Sequence, residues 1–113
     1  KDSYTIDGVE YTMDEKQSLE FRRIYNQADL VVQRMITSSS YRRLNDKKKK
    51  SLIQSIFNYY LRLAQSEVFD LDLVPDNRMF RSLTQAFNYF RETVATRLLN
   101  EQRKEEREAR RKR

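Results

Sequence analysis

The chain contains no cysteine and no histidine, and it has only one glycine and one proline. Without cysteine there are no disulfides or thiolate metal ligands, and without histidine the commonest general base and metal ligand is missing. The scarcity of glycine and proline excludes a β-sandwich or barrel, because those folds need a turn signal roughly every 8–12 residues. The composition therefore predicts an all-α protein.

Charge is what the sequence has in abundance. Of 113 residues, 35% are charged and 38% are apolar, and 23 Lys and Arg outweigh 17 Asp and Glu to give a net charge of +6. The length allows one domain with a thin core. No apolar run approaches the ~18 residues of a membrane span, so we expect no membrane-spanning segment. Because the chain begins at Lys1 rather than Met, we expect it to be part of a longer polypeptide.

The N-terminus carries a hairpin signal over residues 4–11. Asp7-Gly8 lies between β-favouring residues, and a two-residue type I′ turn needs positive φ at both positions. Because an isolated ribbon is marginal in water, we expect it to lie against a helix or another chain.

The first helix is predicted over residues 13–37. Thr12 and Glu15 have capping-box spacing, and the Ser-rich segment 37–40 ends the helix. Its apolar stripe recurs at helical spacing. The stripe comprises Phe21, Ile24, Tyr25, Ala28, Val31, Val32 and Met35.

Two more helices are predicted over residues 46–69 and 78–99. Asn45-Asp46 caps the second helix, and Asp76 or Asn77 caps the third after the Pro75 break. Phe57 and Phe87 lie mid-stripe and are predicted core residues. The third helix has a near-heptad apolar seam, which predicts a partner-binding face. The seam comprises Phe80, Phe87, Phe90, Val94 and Leu98.

Residues 100–113 form a charged extension with eleven charges and one small apolar residue, Ala109. This segment lacks the apolar groups needed to join a core, so we expect a protruding helical tail. The predicted architecture is thus a helical domain over 1–99, a three-helix bundle with a small hairpin, followed by the tail over 100–113.

The sequence predicts no catalytic or metal site. Asp70, Asp72 and Asp76 most resemble a cation cluster, but the intervening residues lack the pattern of a calcium loop, and loop solvation and helix capping explain them better. We therefore expect no enzyme activity, cofactor or small-molecule substrate.

Two cationic segments are candidate contacts for phosphate or for an acidic partner, with a solvated surface as the third possibility. Four interleaved Glu residues argue against a dedicated DNA-binding tail. The candidates are Lys47, Lys48, Lys49, Lys50, Arg103, Lys104, Arg107, Arg110, Arg111, Lys112 and Arg113.

Residues 4–66 carry a pattern of four features in sequence order. They are the strand Val9–Thr12, the aromatic Phe21, a Ser-rich Tyr-x-x-Leu turn over 36–44, and a Lys-bearing helix with Ile53-Gln54-Ser55-Ile56-Phe57. The pattern resembles a helical module near the C-termini of large tailed-bacteriophage virion proteins. These include tape-measure-like, polyvalent and internal cargo proteins, among them those of crAss-like phages.

The resemblance implies a non-enzymatic structural or packaged component of a virion, assembled in the bacterial cytoplasm. Its implied partners are other virion proteins of the head, portal or tail, in multiple copies. From the charge pattern, separately, we expect any contact with DNA to be weak and nonspecific. The alternative from another functional class is a sequence-nonspecific nucleic-acid-binding adaptor that uses Lys47 to Lys50 and the tail.

Overall fold

The fold begins with an antiparallel hairpin, as predicted. The computed structural model describes residues 2–112, and strands β1 (Ser3–Ile6) and β2 (Val9–Thr12) pair with Tyr4 opposite Tyr11. Both turn residues have positive φ, +51° at Asp7 and +80° at Gly8. The two tyrosines stack on Phe21 and Phe69, each with ring centroids 5.1 Å apart. The hairpin therefore lies against the chain's own helices.

The predicted first helix is two helices, α1 (Glu15–Tyr25) and α2 (Gln27–Met35). The predicted Thr12–Glu15 capping box is wrong, because Thr12 pairs with Ser3 in the hairpin. Asp14 caps α1 instead: its carboxylate accepts from the Gln17 N–H at 2.8 Å, and the Gln17 amide oxygen accepts from the Asp14 N–H at 3.0 Å. The predicted apolar stripe continues across the break at Asn26, with Phe21, Ile24, Ala28, Val31 and Met35 buried.

One turn of helix, α3 (Ser39–Arg42), precedes α4 (Asp46–Phe69). The bounds of α4 are those predicted from the sequence. The Asn45 side chain accepts from the Lys48 N–H at 2.9 Å at its start, and Asp70 in the left-handed conformation ends it. Tyr25 and Phe57 are neighbours, with ring centroids 5.8 Å apart, so α1 and α4 run side by side.

The third predicted helix begins at Leu83, five residues later than expected. Asp76 opens only a 3₁₀ turn, Asp76–Arg78, and Ser82 caps the helix by accepting from the Gln85 N–H at 3.1 Å. Three consecutive segments then form one continuous helix to the end of the described chain. They are α5 (Leu83–Tyr89), a π-helical segment (Phe90–Ala95) and α6 (Thr96–Arg111).

The all-α class with a small hairpin is confirmed, since 72% of the structure is helical. The three-helix bundle is not: four main helices are present in residues 2–112, because the first predicted helix divides at Asn26. The main core lies between α2, α3, α4 and the C-terminal helix, while a smaller cluster of Met13, Phe21, Ile24 and Ala64 lies under the hairpin.

The π-helical segment keeps one face of the C-terminal helix against the rest of the protein. Its buried residues recur every fourth position, and in a straight α-helix each step of four turns the face by about 40°. The wider π turn, which closes i→i+5 hydrogen bonds, reverses that drift. The buried positions of this series are Ala86, Phe90, Val94, Leu98 and Gln102, and Ala95 beside them is buried as well.

Gly8→Val should lower the free energy of unfolding by roughly 1–2 kcal/mol, because a β-branched residue is strained at a φ of +80°. No atom lies within 4 Å of the position that a Cβ would take, so the cost comes from the backbone alone. Gly8→Asn, which tolerates positive φ, is the control and should cost less. Equal urea midpoints for the two variants would contradict this account.

Deleting Thr93, which is exposed in the π-helical segment, should convert that segment to α-helix. Because a π turn accommodates one residue more than an α-helix over the same rotation, the deletion should leave Leu98 and Gln102 facing the body. Its cost should therefore stay well below the roughly 3 kcal/mol expected if these side chains left the core. Thr93→Ala keeps the chain length and should stay within about 0.5 kcal/mol of the parent. The measurement is thermal unfolding followed by circular dichroism, and a deletion variant destabilised by about 3 kcal/mol or more would refute the role given to the π turn.

Candidate interaction surface

One buried glutamine holds the start of the charged tail against the folded body through hydrogen bonds. We use "body" for residues 3–99 and "arm" for residues 100–112. Gln102 is 7% exposed; its amide oxygen accepts from the Asn45 N–H at 2.7 Å and its amide nitrogen donates to the Arg43 carbonyl at 3.0 Å. The expectation that this segment stays off the core is therefore wrong for its first turn, since the amide satisfies two backbone groups where α3 leads into α4.

An ion pair between a buried lysine and two partly exposed glutamates lies beside this glutamine. The Lys48 side chain is 8% exposed, and its ammonium is 3.1 Å from Glu105 and 3.5 Å from Glu101. The bond to Glu105 raises the pKa of Lys48, while hydrogen bonds from Arg97 and then Lys48 lower the pKa of Glu101. Lys48 and Glu101 are thus each stabilised in the charged form. The contribution of Glu101 is present above the ordinary carboxyl pKa and is lost as the pH falls through the lowered value.

The four lysines at the start of α4 do not form one cationic patch. Lys48 forms ion pairs with two glutamates of the arm, Glu101 and Glu105. Lys49 is half-buried with its ammonium 5.3 Å from the Tyr41 ring centroid, while Lys47 and Lys50 are exposed. The structure therefore leaves these last two as the freely accessible cations of the run.

Positive charge is concentrated where α4 begins and the arm emerges. Residues 41–50 carry six cations and one acid, and residues 100–113 carry seven cations and four acids. Together they have a net charge of +8, which exceeds the +6 of the whole chain, so the rest is slightly acidic. Contacts of Lys48 and Gln102 bring the two segments together. The protein is thus electrostatically polarised.

Within the arm the two signs of charge lie on different faces. With Gln102 directed at the body, a rotation of about 100° per residue places all four glutamates between about −120° and +40° of it. Five cations lie between about 80° and 200°, turned away from the body, and all five are exposed. We call this surface the outer face; it comprises Arg103, Lys104, Arg107, Arg110 and Arg111. Lys112 lies on the glutamate side, and Arg113 is outside the described residues.

The predicted partner-binding seam is used inside the protein. Phe90, Val94 and Leu98 are 3%, 8% and 4% exposed and belong to the main core. Phe80 packs against Tyr59 and Tyr89, each with centroids 5.1 Å from its own. The interpretation as a free docking face is thus corrected: a near-heptad seam also results when a helix packs on its own domain.

The two predicted core aromatics, Phe57 and Phe87, are half-buried rather than fully enclosed. The Phe87 ring lies between two guanidinium groups, with Arg34 at 4.6 Å and Arg91 at 5.6 Å from its centroid. Arg34 also donates to the Thr84 hydroxyl at 2.9 Å. These arginines cover the rim of the core, which the sequence pattern did not reveal.

A groove of about 520 Å³ lies between α4, the loop before α5 and the π-helical segment, and Arg62, Arg78 and Arg97 line it. Burial raises the pKa of Tyr60 to about 12, which keeps its phenol protonated.

Among residues 2–112, no group of three or more potential metal-ligating side chains converges. Asp70 ends α4 in the left-handed conformation, and Asp76 opens the 3₁₀ turn without a side-chain capping hydrogen bond, so the predicted helix cap at Asp76 or Asn77 is wrong.

Gln102 is the functional residue that the sequence analysis missed. It is a polar residue in a charged segment, and such residues are usually solvated. The available signal was its spacing, since it continues the series Phe90, Val94 and Leu98 by a further step of four.

Comparisons with protein-family models, with curated proteins and with solved structures return no match. No helix in the described part of the chain is both long and apolar enough to cross a membrane. The functional proposals therefore rest on the chain's own residues and surfaces.

Gln102→Ala should lower the free energy of unfolding by roughly 1–3 kcal/mol, because it removes two part-buried hydrogen bonds, to the Asn45 N–H and to the Arg43 carbonyl. It should also raise the hydrogen-exchange rates of the arm amides. Gln33→Ala, at an exposed position of α2, is the matched control and should change little. Identical exchange in the arm of both variants would show that Gln102 does not anchor it.

Proposed function

We propose that the chain is a non-enzymatic structural or packaged component of a tailed-bacteriophage virion, which assembles with head, portal or tail proteins. The support for this class is the resemblance carried by residues 4–66. Its quoted residues fall on β2, α1, α3 and α4, the elements that build the body.

The observation that carries an assembly role is the anchored arm. The protein measures 56 × 31 × 25 Å, and its helix continues past Gln102 to Arg111 with every residue from Arg103 onward exposed up to Lys112. Glu105 pairs with Lys48 of the body, but the described part of this extension beyond Gln102 buries no residue. A helix that is held at its base and solvated beyond it is suited to contacting a partner.

The partner contact of this proposal differs from the one that the sequence suggested. Since the apolar seam is buried, contact with other virion proteins falls to the arm and to the exposed surface of the body. Such contacts depend on charge, so we expect them to weaken as salt screens exposed groups beyond about 8–10 Å.

The test is to purify intact virions from the source phage by density gradient and to search them for peptides of this chain. We expect the peptides to comigrate with DNA-filled particles at a constant ratio to the major capsid protein. The matched control is the soluble fraction of the same lysate. Peptides confined to that fraction would refute the virion proposal.

A sequence-nonspecific nucleic-acid-binding adaptor is the second candidate, and the outer face of the arm favours it. Of the four glutamates that argued against a DNA-binding tail, Glu101 and Glu105 pair with Lys48, while Glu106 and Glu108 lie at the edges of the outer face. The two candidates are compatible, since a virion component can also contact the genome.

A further inference from the structure

Within residues 2–112, the five cations of the outer face make no ion pair of 4.0 Å or less, whereas Lys48 and Arg97 both do. By the helical rotation, Glu106 and Glu108 lie at the two edges of this face, about 40° from Arg110 and from Lys104 respectively. Glu101 and Glu105 pair with Lys48. Direct pairing of the five outer-face cations therefore falls to anions from outside the described residues.

The arm holds these cations in a fixed arrangement before any ligand arrives. The two hydrogen bonds of Gln102 and the ion pairs of Lys48 fix the start of the arm, and α6 continues uninterrupted to Arg111. A preordered helix loses less conformational entropy on binding than a disordered basic tail. The arrangement is therefore a surface rather than a flexible run of charge.

The dimensions of this surface suit duplex DNA. From Arg103 to Arg111 the helix rises about 12 Å, and with side chains it is about 10–12 Å wide. The major groove of B-DNA is about 12 Å wide, and the duplex carries one phosphate charge per about 1.7 Å of its axis. An arm of this size can thus place several guanidinium groups within reach of phosphates on both sides of the groove.

The chemistry of the outer face favours phosphate over a membrane or an acidic protein. Four of its five members are arginine, whose planar guanidinium binds phosphate through two parallel hydrogen bonds. A membrane-surface helix needs large apolar residues opposite its charges, and protein interfaces concentrate their binding energy in buried aromatic or apolar anchors. The arm has Ala109 as its single apolar residue, and Ala109 lies on the side of Gln102.

We infer that the outer face of the arm, Arg103, Lys104, Arg107, Arg110 and Arg111, binds the phosphate backbone of duplex DNA without reading its sequence. This inference rests on the second candidate function and is independent of the virion proposal. No base-reading role is assigned to these residues; arginine can also bind guanine in the major groove, so sequence independence is tested with two unrelated duplexes.

The experiment measures binding of the whole chain to a fluorescent 20-base-pair duplex by anisotropy between about 50 and 200 mM salt. About five neutralised phosphates predict a slope of log K against log salt of about −4 to −5, a loss of several hundredfold across that range. Two duplexes of unrelated sequence should bind equally within about twofold, since phosphate contacts carry no sequence information.

The test variant is Arg103→Gln, Arg107→Gln and Arg110→Gln together, which keeps helix propensity while removing three charges. It should bind at least tenfold more weakly at low salt and reduce the slope by about 2.7. The matched control, Lys16→Gln, Arg22→Gln and Arg62→Gln, removes the same net charge from exposed positions of the body and should stay within about threefold of the parent. Circular dichroism checks that both variants are folded.

Three outcomes would overturn the inference. The first is equal weakening in the two triple variants, which would show a net-charge effect without a defined surface. The second is no binding to duplex DNA at about 50 mM salt by a folded parent chain. The third is binding of the parent to anionic phospholipid vesicles or to polyglutamate while duplex DNA does not compete. None of these outcomes bears on detection in virions, so the two proposals fail separately.

Discussion

The C-terminal helix has to keep one face against the body while its sequence changes from aromatic to almost wholly charged. An ordinary α-helix with buried residues at every fourth position would rotate away within a few turns. The π-helical segment from Phe90 to Ala95 corrects this rotation, so that Leu98 and then Gln102 still face the body. The position of the arm, the pairing of Lys48 and the separation of charge all depend on that correction.

Gln102 and Lys48 fix the register of the helix at its last contact with the body. Apolar side chains could bury as much surface there, but they would allow neighbouring registers with little penalty. A glutamine that must meet both the Asn45 N–H and the Arg43 carbonyl fits in one position only. Buried polar groups are known to specify a unique arrangement in some proteins at a cost in stability. We assign that role to Gln102, with Lys48 and its two glutamates reinforcing it.

Local chemistry explains which parts of the fold the sequence predicts well. Asn45 and Asp70 bound α4, and Asp7-Gly8 closes the hairpin, because each works through backbone groups within a few residues. The start of the C-terminal helix was less predictable. Asp76, Asn77 and Ser82 are all competent caps, and the choice between them follows from how the preceding loop packs, with Val74 buried. The same competition moved the first cap from Thr12 to Asp14.

The outer face of the arm could be predicted only in part from the sequence, because its exposure depends on how the helix is rotated about its own axis. Its cations are plain in the sequence, but their meaning depends on which side of the helix faces the body. Apolar residues normally reveal that side, and the arm has none large enough to do so. When charges are only counted along the sequence, the four glutamates at 101, 105, 106 and 108 offset four of the seven cations of residues 100–113. Once the position of Gln102 is known, Glu101 and Glu105 bind Lys48 and Glu106 and Glu108 lie at the edges of the cationic face, which leaves a continuous positive surface facing outward. Charge balance in a segment of this kind is therefore a property of its three-dimensional placement, and a net charge counted along the chain understates what a partner would meet.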